Sequence, residues 1–82
     1  MTPRLIQVFE VSDARAQELI VGLLRGVQDL EVEAALSGPD FFVITECDDA
    51  FQAESVARIV HSIDFDARLT ETRFGPSESL SA

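Results

Sequence analysis

Residues 31–47 run Glu31-Val32-Glu33-Ala34-Ala35-Leu36-Ser37-Gly38-Pro39-Asp40-Phe41-Phe42-Val43-Ile44-Thr45-Glu46-Cys47. Two runs, 31–36 and 41–47, are rich in apolar, aromatic and β-branched residues, which suit a pleated, half-buried surface. Ser37-Gly38-Pro39-Asp40 between them is a turn signal, so the two runs form an antiparallel hairpin. Moving outward, helix-period segments flank the hairpin on both sides, at 13–26 and 50–63. Beyond them lie two more strand-like runs, 4–11 and 66–73. The order is therefore βαββαβ. It predicts an α+β, ferredoxin-like sandwich: a four-stranded antiparallel sheet, strand order 4-1-3-2, with two helices on one face. Residues 1–73 make the single domain, and 74–82, with Gly75, Pro76 and three serines, read as a loosely ordered carboxy-terminal tail.

In the first helix Ala16, Leu19, Ile20, Leu23, Leu24 and Val27 recur on one 3.6-residue stripe, the expected buried face. Arg15, Gln17, Glu18, Arg25 and Gln28 fall on the wet side. Ser12 is the expected N-cap, and Gly26 the stop, since glycine enters the left-handed conformation at little steric cost. The second helix starts at Asp48-Asp49, either of which can cap it. Its stripe is Ala53, Val56, Ala57, Val60 and Ile63, and Glu54 and Arg58 pair at i,i+4 on the exposed side.

Eighty-two residues carry 15 acidic and 6 basic side chains, a net charge of −9. That balance repels nucleic acid and anionic membrane surfaces, so no nucleic-acid or membrane partner is expected. Phe9 and Phe41 occupy positions like those of the stacking aromatics of RNA-recognition domains. Ser37-Gly38-Pro39-Asp40-Phe41-Phe42-Val43 nevertheless lacks the basic residues of that motif. One cysteine, Cys47, allows no internal disulfide. No apolar stretch has signal-peptide or membrane-span character, and a cytoplasmic location is the expectation.

Glu46-Cys47-Asp48-Asp49 sets a thiol beside three carboxylates. The one other soft ligand is His61, so the set falls short of a metal site. Like-charge repulsion raises the thiol pKa, the wrong direction for a nucleophile. Cys47 reads as a small strand hydrophobe and the aspartates as caps. No catalytic triad, phosphate cradle or cofactor motif stands out, and no catalytic, cofactor or metal residue is assigned.

The strands carry the sharpest expectation. Side chains alternate between faces, so each central strand has two sets. Placing Ile6, Val8, Phe42 and Ile44 under the helices leaves Leu5, Gln7, Phe9 and Val11 with Phe41, Val43, Thr45 and Cys47 outside. The reverse assignment exchanges the sets. Both are substantially apolar, and a two-layer domain buries only one. Leu5, Phe9, Val11, Phe41 and Val43 are taken as the outer, interface patch, closed by a two-fold homodimer. The competing cover is the tail, through Phe74 and Leu80.

Val8-Phe9-Glu10-Val11-Ser12-Asp13, the helix end Leu24-Arg25-Gly26-Val27 and the strand start Leu30-Glu31-Val32 resemble the opening of an ACT-type regulatory domain over residues 4–73. Ala14-Arg15 stands where that family tends to carry Pro-Gly, the pair that lets a ligand approach the backbone. The resemblance implies a small regulatory module. Heavy-metal-associated domains share the element order, but Ser12-Asp13-Ala14-Arg15 replaces their CxxC loop. The expected function is a non-enzymatic regulatory or protein-interaction homodimer. The alternative is a small-molecule-binding protein or cofactor-free enzyme resembling dimeric α+β-barrel proteins, with Gln7, Glu10 and Thr45 as pocket polar groups.

Overall fold

The computed structural model describes residues 4–27 and 30–75. The elements are β1 (Arg4–Val11), α1 (Ala14–Leu24), β2 (Glu31–Ser37), β3 (Asp40–Cys47), α2 (Ala50–Ile63) and β4 (Arg68–Gly75). All neighbouring strands are antiparallel and lie in the order β2-β3-β1-β4, which is 4-1-3-2 read from the other edge. The α+β sandwich expected from the sequence is the observed fold. The hairpin closes at Ser37↔Asp40, with Gly38 at φ 60°, a left-handed conformation that favours glycine.

Both helices open on aspartate caps. Asp13, rather than Ser12, caps α1 by accepting from the Ala16 N–H, and Asp49 caps α2 by accepting from the Gln52 N–H. Ser12 is occupied elsewhere. Its backbone N–H and its hydroxyl both donate to Asp64, at 2.7 and 2.8 Å, tying the β1–α1 junction to the end of α2. Asp64 also accepts from the Asp66 N–H, and the Ala67 N–H bonds the Asp64 carbonyl. That turn occupies residues 64–67, so β4 begins at Arg68 rather than at 66. Phe74 and Gly75, expected in the tail, belong to β4, while the tail from 76 onward lies outside the described residues.

The core lies between the sheet and the helices. Phe9, Val11 and Val43 pack with Ile20, Val21, Leu24, Val56, Val60 and Ala67. A second cluster, Leu5, Cys47 and Ala53, closes the other end. In α1 the buried stripe is rotated from the expected one. Val21 is buried and Leu19 and Leu23 are 51% and 54% exposed. Gln17, expected in water, instead donates from Nε2 to the Ala35 and Phe42 carbonyl oxygens at 3.0 and 2.8 Å, fastening α1 to the hairpin. The Glu54–Arg58 pair forms as expected, at 2.8 Å on the exposed side of α2.

Strand register corrects the assignment of faces. The residues taken as the outer patch, Leu5, Phe9, Val11, Phe41 and Val43, point to the helices. Phe9 and Val43 are fully buried in the core, and Phe41 packs against its edge. The reason is charge parity. In the hairpin Glu31 and Glu33 lie opposite Glu46 and Ile44, and across β1 Glu46 lies opposite Ile6. Burying the Ile6 set under the helices would have carried Glu10, Glu31, Glu33 and Glu46 into the core with it, at several kcal/mol per unpaired charge. The odd-numbered set of β1 and β3 brings only Gln7 and Thr45, both neutral.

A candidate interaction surface on the open sheet face

The face left open by the helices is built from four strands in register. The first row across it is Glu31, Glu46, Ile6 and Arg73. The second is Glu33, Ile44, Val8 and Glu71, and the third is Ala35, Phe42, Glu10 and Arg68. Ile6, Val8, Phe42 and Ile44 thus make an apolar stripe down the two central strands. Ile6 is 1% exposed, and the other three are partly exposed. A bulge between β1 and β4 at Val8/Phe9 sets the third row. Thr70 is the extra residue, its hydroxyl donating to the Val8 carbonyl at 3.2 Å. The bulge turns Leu69 toward the helix side, opposite Phe9, and brings Arg68 onto the open face opposite Glu10. Arg68 and Glu10 pair at 2.6 Å, and Arg73 pairs with Glu71 along β4.

The two edges of this face differ in charge. The β2 side carries Glu31 and Glu33, with Glu46 beside them on β3. The β4 side carries Arg68 and Arg73 with Glu71 between them. Glu46 is 1% exposed, and neither carboxyl oxygen of its ionised form has a hydrogen-bond partner. Its pKa is pushed up from 4.5 to about 7, first by burial, then by the hydrogen bond and negative charge of Glu31. Glu33 adds to this, and Arg4 opposes it. A proton on Glu46 supplies the donor that Glu31 accepts, so the pair acts as one acid-carboxylate unit.

The four-residue acidic cluster at the end of β3 is not one site. Glu46 faces the open side, while Cys47 faces the helices, fully buried, with its thiol 3.7 Å from the Leu5 and Asp49 carbonyl oxygens. Burial, and then the Asp49 charge, pushes the thiol pKa up. Asp48 is exposed and pairs with Arg4 at 3.3 Å, and Asp49 is the α2 cap. His61 sits at the other end of α2, with Nε2 donating to the Ala67 carbonyl at 3.0 Å. Among the described residues no group of three or more histidine, cysteine, aspartate and glutamate side chains is arranged to hold a metal ion.

Other apolar surface is present. A cleft of about 610 Å³ on the outer side of the helix layer is lined by Glu18, Leu19, Gly22, Leu23 and Ile63. Phe51, Phe65 and Phe74 are largely exposed at or beyond the ends of α2 and β4. Beneath the helices, Gln7 and Thr45 are cross-strand partners, and their side-chain oxygens are buried without hydrogen bonds.

Ile6, Val8, Phe42 and Ile44, the set expected under the helices, lie on the open side instead. The deciding signal was available. A hairpin closing at Ser37↔Asp40 puts Glu31 and Glu33 on the same face as Ile44 and Glu46. The placement of Glu46 beside Glu31 follows from the same register.

No family model matches the chain, and neither curated proteins nor solved structures yielded a match. No helix among the described residues is long and apolar enough to cross a membrane.

Proposed function

We propose that this chain is a small non-enzymatic regulatory or protein-interaction module that works in the cytoplasm as a homodimer, joined through its open sheet face. One observation carries the reading: the face not covered by helices presents the partly exposed apolar side chains of Val8, Phe42 and Ile44, beside the buried Ile6, between charged edge strands. An apolar centre with a polar rim is the usual anatomy of a contact surface, and a self-complementary patch closes on itself in a two-fold pair. The resemblance of residues 4–73 to ACT-type domains agrees with a regulatory role. A buried, unpaired Cys47 suits a reducing compartment. The net charge of −9 argues against nucleic acid as the partner.

Sedimentation equilibrium over a wide concentration range tests this. Wild-type protein is expected to show a dimer, and Ile44→Glu a monomer with an unchanged circular dichroism spectrum. A single-chain mass for wild type at every concentration would overturn the reading.

A second reading, a small-molecule binder, is favoured by the buried, unpartnered oxygens of Gln7 and Thr45 between sheet and helices. A ligand donating to both would raise the melting temperature of wild type and not of Thr45→Val.

A further inference from the structure

The helix layer, on the other side of the sheet from the apolar stripe, carries an unfilled surface of its own. We propose that the outer side of α1 is a docking site for one amphipathic helix of a partner protein, with an apolar centre and carboxylates toward its two ends. The inference rests on the protein-interaction reading above, uses a different face, and does not depend on the dimer.

The shape of α1 comes first. Gly22 lies in mid-helix, where glycine weakens a helix relative to alanine. A Cβ added there would meet nothing within 4 Å, so no contact inside the chain requires the glycine. It is a low point shared by two clefts. The cleft of about 610 Å³ toward α2 is lined by Leu19, Gly22, Leu23 and Ile63, with Glu18 on its rim. The cleft of about 360 Å³ toward β2 takes in Gly22, Val21, Arg25 and Ala34. Leu19 and Leu23 flank the glycine half-exposed, apolar surface that a covering partner would remove from water. A missing side chain between two leucines admits the ridge of another helix, because side chains at the contact set how closely helices pack.

Charge then names the ends of the partner. All six basic residues are arginines. Arg4, Arg58, Arg68 and Arg73 each pair with a carboxylate of this chain. Arg15 and Arg25, both exposed, form no ion pair with a described residue, and they stand at the two ends of the Leu19–Leu23 segment. At 1.5 Å per residue they lie about 15 Å apart along the axis, roughly three turns of a docked helix. In a chain of net charge −9, two unpaired cations bracketing an apolar cleft fit a helix whose acidic residues have that separation. Glu18, exposed between them and also unpaired with any described residue, fits one basic residue on the flank of that helix. A second copy of α1 is a poor occupant, since it brings Glu18 alone against two arginines. The mode is a helix laid in a groove, anchored by apolar residues on one face.

The test is fluorescence anisotropy with a labelled synthetic helical peptide of about eighteen residues. It carries leucines at i, i+3, i+4 and i+7, two glutamates about ten residues apart, and one lysine between them. Saturable binding to wild type is expected, with equal affinity for Ile44→Glu, whose change lies on the sheet face. Gly22→Leu fills the low point from open space, so its circular dichroism should match wild type and its melting temperature should be no lower. It is nevertheless expected to weaken binding by about tenfold or more. Arg15→Glu combined with Arg25→Glu should weaken the glutamate peptide to a similar degree and prefer a peptide with lysines in the two end positions. No saturable binding by wild type, or binding that Gly22→Leu and the arginine changes leave unaltered, overturns the docking site and leaves the sheet-face dimer standing. A wild type that is monomeric by sedimentation yet binds the peptide in this pattern supports the docking site and overturns the dimer alone.

Discussion

Replacing Glu46 by glutamine should make the protein more stable at neutral pH. The Glu46 carboxyl is buried beside Glu31 and holds its proton up to about 7, against 4.5 ordinarily. Between those values the unfolded chain has released this proton and the folded chain has kept it. The folded state therefore binds more protons there, and stability falls as pH rises. The contribution is fully present below about pH 4.5, declines through 7, and is flat above. At about 1.4 kcal/mol per pH unit the ionised form costs the folded state about 3 kcal/mol. Glutamine keeps the shape, cannot ionise, and offers an N–H to Glu31. Glu46→Gln should thus unfold near wild type at pH 4.5 and about 3 kcal/mol above it at pH 8, on the order of ten degrees in melting temperature for a domain this small. Urea titrations followed by circular dichroism at half-unit pH steps measure this. A wild-type stability flat or rising between pH 5 and 8, or a variant that tracks wild type across that range, would refute the reasoning.

Three further outcomes follow from the packing. Phe9→Glu should unfold the domain, since Phe9 is fully buried beneath the helices; a folded monomer by circular dichroism would mean that Phe9 is not in the core. Asp64→Asn should cost about 2 kcal/mol at pH 7, because Asp64 accepts from the Ser12 N–H, the Ser12 hydroxyl and the Asp66 N–H. Burial works against ionisation of Asp64, but those hydrogen bonds and His61 outweigh it and hold its pKa below 3.8. The loss should shrink as pH falls through the folded pKa, which acid titration of both proteins by circular dichroism checks. Cys47→Ser should change stability by no more than about 1 kcal/mol, since a hydroxyl meets the same two carbonyl oxygens. Native Cys47 should also resist a thiol reagent at pH 8 until the protein is unfolded, as its burial and raised pKa require.

The order of elements was legible because periodicity and turn chemistry are local. Apolar residues on a 3.6-residue stripe mark α2, and Ser37-Gly38-Pro39-Asp40 marks the hairpin. What failed was the step from strand to face, since both residue sets of β1 and β3 look apolar when each strand is read alone. Only pairing them with Glu31 and Glu33 in register breaks the tie. The rotation of α1, which buries Val21 and half-buries Gln17 at the expense of Leu19 and Leu23, is set by the hairpin carbonyls that Gln17 meets, 18 and 25 residues away. Ser12 looked like a cap because serine often is one. Its partner Asp64 lies 52 residues further on, and no local pattern announces it. The acidic run at 46–49 looked like one cluster in one dimension. Strand alternation splits it, sending Cys47 inward and Glu46 outward.

The central claim is that the open sheet face pairs with a second copy. Isotope-filtered NMR on a mixture of labelled and unlabelled protein tests it most directly. The account predicts intermolecular contacts between the methyl groups of Val8 and Ile44 and between Ile44 and the Phe42 ring, with none to Leu19 or Leu23 on the helix layer. Intermolecular contacts confined to Leu19 and Leu23, or none at all at millimolar protein, would contradict it.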